Sequence, residues 1–411
     1  MKSKLVDILK MIGPGIAVAA TGVGAGDMVA AAVSGAKYGT IILWAAVFGA
    51  IIKFSLNEGI ARWQLATQQT ILEGWAEKFG RWVSIGFGVY LVLWSFIVAG
   101  ALISACGLAA HAMFPQLPVA VWGIIHSIAA VFLIYLGRYL LFESMMKTFI
   151  GLMFIIVLTC AVLVNPDWTS IIPSIALPRI PEGSGKFLLG VIGGVGGSVS
   201  LLNYSYWIRE RKWEGKKYKK TIEWDLGIAY SLTGLFGVAV MIIAAGVSPE
   251  IIMGNNMVLA IAGRLETVSG LFGKWVFLFG FWGAVFSSML GVWQGVPYIF
   301  TDFMQIQNRQ RKGVTLATKV ESDSLYYKGF LLFLAFPPML LLLFDKPVWI
   351  VVIYSIAGAM FMPFLAISLL YMNNREKWVG NLKNRWYTNA LLIISLVVFG
   401  YLCLAEFIEL F

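Results

Sequence analysis

The segment Ala20–Ala32, ATGVGAGDMVAAA, decides how this chain is read. It is apolar enough to lie in a bilayer, yet it sets Gly22, Gly24 and Gly26 within five positions and follows them at once with Asp27. Glycine is a poor helix former, and an aspartate in hydrocarbon is costly. Backbone groups freed by a helix break survive inside a membrane only where they line a cavity or are buried in protein. The stretch therefore predicts an interrupted helix with a polar role at the interruption.

Composition supplies the membrane. The 411 residues are 59% hydrophobic and 13% charged, with a mean hydropathy of +0.82, outside the usual range of soluble globular domains. Apolar windows of roughly 20 residues, the length that crosses ~30 Å of hydrocarbon, occur near 11–35, 40–62, 84–113, 118–136, 140–164, 187–208, 226–246, 270–298, 328–345, 348–372 and 388–410. Eleven spans are expected. The first, in MKSKLVDILKMIGPGIAVAA, lacks a signal-peptide cleavage site before a polar region and is read as a span.

Basic residues gather in alternate loops, above all Arg209, Arg211, Lys212, Lys216, Lys217, Lys219 and Lys220, and again Arg375, Lys377, Lys383 and Arg385. The positive-inside tendency then puts the N-terminus in the cytoplasm and the C-terminus outside a plasma (inner) membrane. Topology accounts for the net charge of +10, so the lipid bilayer and no nucleic acid is the expected partner. Cys106, Cys160 and Cys403 all lie in apolar runs, and no disulfide or zinc framework is expected. The proline-rich segment 166–186 reads as an external connection, and Thr301 to Leu325 as a cytoplasmic loop with room for a short helix.

A second glycine cluster sharpens the picture. GVGAGD at 22–27 is echoed five spans later by GGVGGSVS at 193–200. Small residues also serve close helix packing, but two clusters at matched positions, one beside Asp27, point to inverted repeats with a midplane site between broken helices. The expected organisation is all-α: a first five-helix repeat over 1–165, an external loop over 166–186, a second inverted repeat over 187–372, and an internal loop with a last helix over 373–411. Candidate substrate or ion ligands are Asp27, Gly24 and Gly26 in the first interruption, and Gly194, Gly197, Ser198, Ser200 and Asn203 in the second. Asp27, followed by MVAAAV, also reads as a helix N-cap.

Other charges find bland readings. Glu58 with Arg62, and Glu143 with Lys147, have the favourable helical spacing for ion pairs. Lys53 lies deeper, with Asn57 four residues on, and is expected to snorkel or to meet a carboxylate. His111 and His126 lack metal-ligand spacing and read as structural. No nucleophile, base and cofactor constellation marks an enzyme.

Several segments resemble the Nramp family of divalent-metal transporters: GPG at 13–15, ARWQLAT at 61–67, GRYLLFE at 137–143, SSMLG at 287–291 and MPFLAISLLYMNNREKWVGNLKN at 362–384. The resemblance runs through nearly the whole chain and implies a leucine-transporter-like fold of two inverted five-helix repeats plus one helix. It also implies where the chain departs. Gly24, Ala25, Gly26 and Asp27 match the family's Asp-Pro-Gly-Asn, so one carboxylate is lost and an aspartate replaces the asparagine. Gly197, Ser198, Val199 and Ser200 match Met-Pro-His-Asn, so the soft sulfur ligand is gone.

Oxygen donors suit Mg²⁺ or Mn²⁺ better than softer metals. With Asp27 as the metal carboxylate, the expected cargo is a hard divalent cation moved by alternating access, with no resident cofactor. Span three carries no Asp or Glu, so the family's proton route is expected to be missing. Gly22, Ser287 and Ser288 make a candidate sodium site. The alternative cargo is a small organic solute such as an amino acid or carboxylate, sodium-coupled, drawn to glycine N–H groups at half-helix N-termini. A monomer is the working expectation.

Overall fold

The computed structural model describes the backbone of residues 14–15, 24–135, 139–194, 197–312 and 324–409, without the side chains of 25, 139–150, 311–312 and 405–409. Among the described residues the fold is all-α, with no strand.

The helix α1 (Ala25–Tyr38) starts directly after Gly24, which flanks it at φ −126°, and stops at Gly39, where φ is +62°. Asp27 is therefore not the N-cap expected from sequence. It sits inside the first turn, and the helix has no side-chain cap. A flexible glycine takes the flanking position, which leaves the carboxylate to act at the positive helix end.

After α2 (Trp44–Thr67) the chain reverses through Gln68 at φ +60° into the short helix α3 (Ile71–Lys78), held by a Thr70/Glu73 capping box. Long apolar helices follow: α4 (Arg81–Met113), α5 (Val119–Tyr135) and α6 (Tyr139–Leu163). The proline-rich connection holds the helix α7 (Trp168–Ala176), capped by Asp167, and is otherwise irregular.

Span six is broken. Helix α8 (Gly185–Gly194) ends in glycines, a 3₁₀ turn runs from Val199 to Leu202, and α9 (Asn203–Glu210) follows. Next come α10 (Lys219–Ala244) and α11 (Met257–Lys312), the latter bent at Gly270. Because α11 runs to Lys312, the first half of the loop expected over Thr301–Leu325 is instead helix, and 313–323 lie outside the described residues. The remainder is α12 (Leu325–Ala335) with its 3₁₀ extension Pro337–Phe344, the consecutive pair α13 (Pro347–Ala359) and α14 (Phe361–Asn373), and α15 (Trp386–Glu409).

Seven helices or helix runs among the described residues are long and apolar enough to cross a membrane: Arg81–Met113, Gly185–Glu210, Lys216–Ala244, Met257–Gln310, Leu325–Phe344, Pro347–Asn373 and Trp386–Leu404. The other expected spans correspond to the 17-residue α5, to α2 with its Lys53, Glu58 and Arg62, to α6, which turns by 119° into α7, and to span one, whose first half lies almost wholly outside the described residues.

Burial follows the logic of a lipid solvent. Val89 and Leu93 of α4, Leu235 of α10 and Val397 of α15 face outward, whereas Asp27, Lys53, Asn57, Asp225 and Asp302 are buried. Apolar atoms meet hydrocarbon, and polar atoms find partners inside. Helix α8 lies at the centre, against α1, α2, α13 and α15, while α10 covers α1 and α2. The approach of α1 to α10 is set by Gly35, where a Cβ would stand 2.7 Å from the Cα of Met241. Any larger residue would push the two helices apart.

Candidate functional site

The start of α1 and the glycine-rich end of α8 face each other. A Cβ added to Gly194 would lie 3.1 Å from the carbonyl oxygen of Gly26, and one on Gly26 would lie 3.5 Å from the Cα of Gly194 and 3.1 Å from Cε1 of Tyr354. The end of α8, the start of α1 and helix α13 are thus in contact. Glycine is needed here for close approach, and at Gly197 for conformation as well, since its φ is +79°.

The break in span six leaves carbonyls at the end of α8 without helical partners. Lys53, reaching across from α2, takes one of them and a second carbonyl just beyond the end of α8. Its Nζ donates to the carbonyl of Gly193 at 2.9 Å and also to that of Gly197. The side chain is fully buried, so the snorkelling expected as one option does not occur. As for the carboxylate expected as the other option, Asp27 lies near enough for its charge to act on the same ammonium. Each charge stands at the helix end of opposite sign: Asp27 in the first turn of α1, Lys53 at the C-terminal end of α8.

Tyrosines complete the surroundings of Asp27. Tyr230 of α10 and Tyr354 of α13 both interact electrostatically with it. Asn57, one turn beyond Lys53, donates to the Tyr230 hydroxyl at 3.0 Å. The Ser198 hydroxyl accepts from Trp94 Nε1 at 3.0 Å. The site therefore contains one carboxylate, one ammonium, phenol and amide groups, and backbone oxygens.

The other candidates distribute as follows. The Gly24 carbonyl accepts the first bond of α1, from Met28 at 3.2 Å, and the Gly194 carbonyl accepts from Gly197 at 3.0 Å. Ser200 folds back over Gly197. Asn203 begins α9, lies against Gly295 of α11, and has a buried amide without a protein partner among the described residues. Ser287 donates to Ala284 of its own helix at 3.0 Å, Ser288 is buried, and Gly22 lies outside the described residues. The sodium expectation thus rests on sequence alone.

Glu58 and Arg62 form the expected ion pair, with Arg62 also donating to Asn384 at 2.9 Å. The pairing of Glu143 with Lys147 falls on side chains outside the described set. His126 Nδ1 donates to the carbonyl of Trp122 at 2.7 Å and its Nε2 accepts from Trp282 Nε1 at 2.8 Å, a packing role. Among the described residues no group of three or more His, Cys, Asp or Glu could hold a metal.

Three acidic residues that sequence reading passed over hold α9. Asp225 accepts from the backbone N–H of Gly15 at 2.6 Å and from the Tyr204 hydroxyl at 2.9 Å. Asp302 accepts from Thr70 at 3.0 Å and Tyr206 at 2.7 Å. Glu73 meets Arg209 at 3.5 Å and Arg309 at 3.4 Å. The signal was present, since tyrosines at 204 and 206 opposite carboxylates near span ends need partners when buried. An apolar cleft of about 530 Å³, lined by residues including Ile97, Leu341, Phe344 and Trp349, lies apart from the interruptions.

Comparison with known proteins agrees with this architecture. A manganese transporter from Eremococcus coleocola, crystallised as a point mutant, superposes with a TM-score of 0.70 at 15% identity, covering 97% of this chain and 86% of that one. MhsT in complex with L-phenylalanine superposes with a TM-score of 0.58 at 15% identity, over 96% of this chain and 98% of that one. At such identities the likeness concerns the fold, which is leucine-transporter-like. In sequence, the divalent metal cation transporter MntH of Bacillus subtilis is 25% identical over 251 residues. The match spans 58% of this chain and 58% of that relative's length. The profile of natural resistance-associated macrophage protein-like sequences matches residues 15–409, and on that near-complete match the chain belongs to the Nramp family.

Proposed function

We propose that this chain is a membrane transporter that works by alternating access around the paired interruptions, and that its cargo is a hard divalent cation, Mg²⁺ or Mn²⁺. The observation that carries the reading is the meeting of the start of α1 with the glycine-rich end of α8, beside one buried carboxylate, Asp27. An intramembrane carboxylate beside irregular backbone is the arrangement expected of an ion path. The names of the B. subtilis relative and of the E. coleocola structures support the cation class. The oxygen-rich surroundings favour hard ions within that class. The cytoplasmic N-terminus, the external C-terminus and the two inverted repeats belong to the same proposal.

A second reading, transport of a small carboxylate-bearing solute, is favoured by one observation. The Lys53 ammonium in the site would pair with an anionic group. Uptake into proteoliposomes of Mg²⁺ and Mn²⁺, run against amino acids and organic acids, decides between them. Cation flux abolished by Asp27→Ala is the expected result; undiminished flux in that variant removes Asp27 from the site. No proton movement should accompany uptake, because α4 offers no carboxylate along its length.

A further inference from the structure

Lys53 is a lysine in the middle of a buried helix, and its position is costly unless something holds it. Among the described residues its Nζ reaches two groups directly, the carbonyls of Gly193 and Gly197, which flank the span-six interruption. Asp27, in the first turn of α1, lies near enough for its charge to act on the same ammonium. These are oxygen donors of the kind a hard cation takes, and they converge on one protein-supplied positive charge. A cation arriving at Asp27 meets that charge at close range, where repulsion in a dry interior is strong. Without the ammonium, the Gly193 and Gly197 carbonyls would each lose a donor away from water.

We propose that the Lys53 ammonium is a resident substitute for the transported cation: it occupies the Gly193 and Gly197 carbonyls, on the Asp27 side of the site, while cargo is absent, and must swing aside for a cation to bind. This rests on the reading that cargo binds at the paired interruptions. Lys53 thereby sets the affinity of the site, since cargo binds only to the fraction of molecules in which the ammonium has left. It also keeps the cargo-free protein dry and neutral at its centre.

The test is titration of the purified full chain with Mn²⁺, bound and free ion being separated by electron paramagnetic resonance. Lys53→Gln and Lys53→Met should each bind Mn²⁺ at least about tenfold more tightly than the parent, as expected for removing one nearby positive charge. Lys53→Arg, which keeps the charge, should not. Adding Asp27→Asn to Lys53→Gln should abolish the gain. Neutral variants that bind no more tightly, an equal gain in Lys53→Arg, or a gain that survives loss of the Asp27 charge would each overturn the proposal. A neutral variant that unfolds alone should be recovered by Mn²⁺ during purification, and failure to recover counts against the idea. Mn²⁺ uptake is read separately in proteoliposomes. Absent flux with the expected titration would sink the transport reading and leave the competition standing, whereas flux with unaltered titration would sink the role of Lys53 alone.

Discussion

The interruption before α1 carries its own charge, while the one between α8 and α9 borrows it. Asp27 belongs to the first turn of the helix it serves, whereas residues 193–200 contain only glycine, valine and serine and receive Lys53 from α2. The difference follows from polarity. A helix start offers N–H donors and favours an anion; a helix end offers carbonyls and favours a cation. A lysine needs a long stem to reach such carbonyls without distorting them, and a neighbouring helix can supply that stem where the broken run of glycines cannot.

The sharpest way to break this comparison is to remove each charge in turn. Lys53→Met and Asp27→Asn should each destabilise the protein by about 1–3 kcal/mol, because each takes a charged, hydrogen-bonding group away from buried polar surroundings. The double variant should cost at least about 1 kcal/mol less than the sum. Unfolding in detergent by denaturant measures all three, and simple additivity would mean that the two interruptions do not share one pair of charges.

A smaller effect separates the backbones. Gly197→Ala forces a Cβ into a left-handed conformation and against Ser200, and should cost about 1–2 kcal/mol. Gly24→Ala, at φ −126°, meets no such penalty and should cost less. Equal losses in the same unfolding assay would erase the contrast.

The smallest effect lies outside both interruptions. Asp167, capping α7, is held below the usual carboxylate range by the Thr169 hydroxyl first and by backbone N–H bonds. Because its folded value is the lower one, its contribution is present above the unfolded carboxylate range and fades as pH falls through the folded value. Asp167→Asn should flatten that acid-side dependence slightly and leave Mn²⁺ binding unchanged, which a melting series across acid pH would detect.

How much of this was legible beforehand depends on the range of each interaction. Helix positions follow from local hydropathy, so spans such as 84–113 and 348–372 agree closely with α4 and with α13 plus α14. The interruption in span six is equally local, written in Gly193, Gly194, Gly196 and Gly197. The identity of the cap at α1 was misread because Asp27 has the right chemistry for a cap, and only the backbone decides that Gly24 takes the position. The destination of Lys53 was the least legible. Its partners lie 140 and 144 residues away, and no periodicity in α2 announces them. The loop expected after Thr301 is helical further than the sequence suggests, because charged residues on a polar extension of α11 look the same as a solvated turn.

Helix α9, only eight residues long, is pinned through Tyr204, Tyr206 and Arg209 to carboxylates on α10, on α11 and at the cap of α3. A short rod fastened at three points to three different neighbours cannot peel away gradually, because releasing one fastening leaves the other two bearing the same geometry. Opening at that end is consequently a concerted event with a single threshold, and loosening any one of the three carboxylates should lower that threshold for the whole segment.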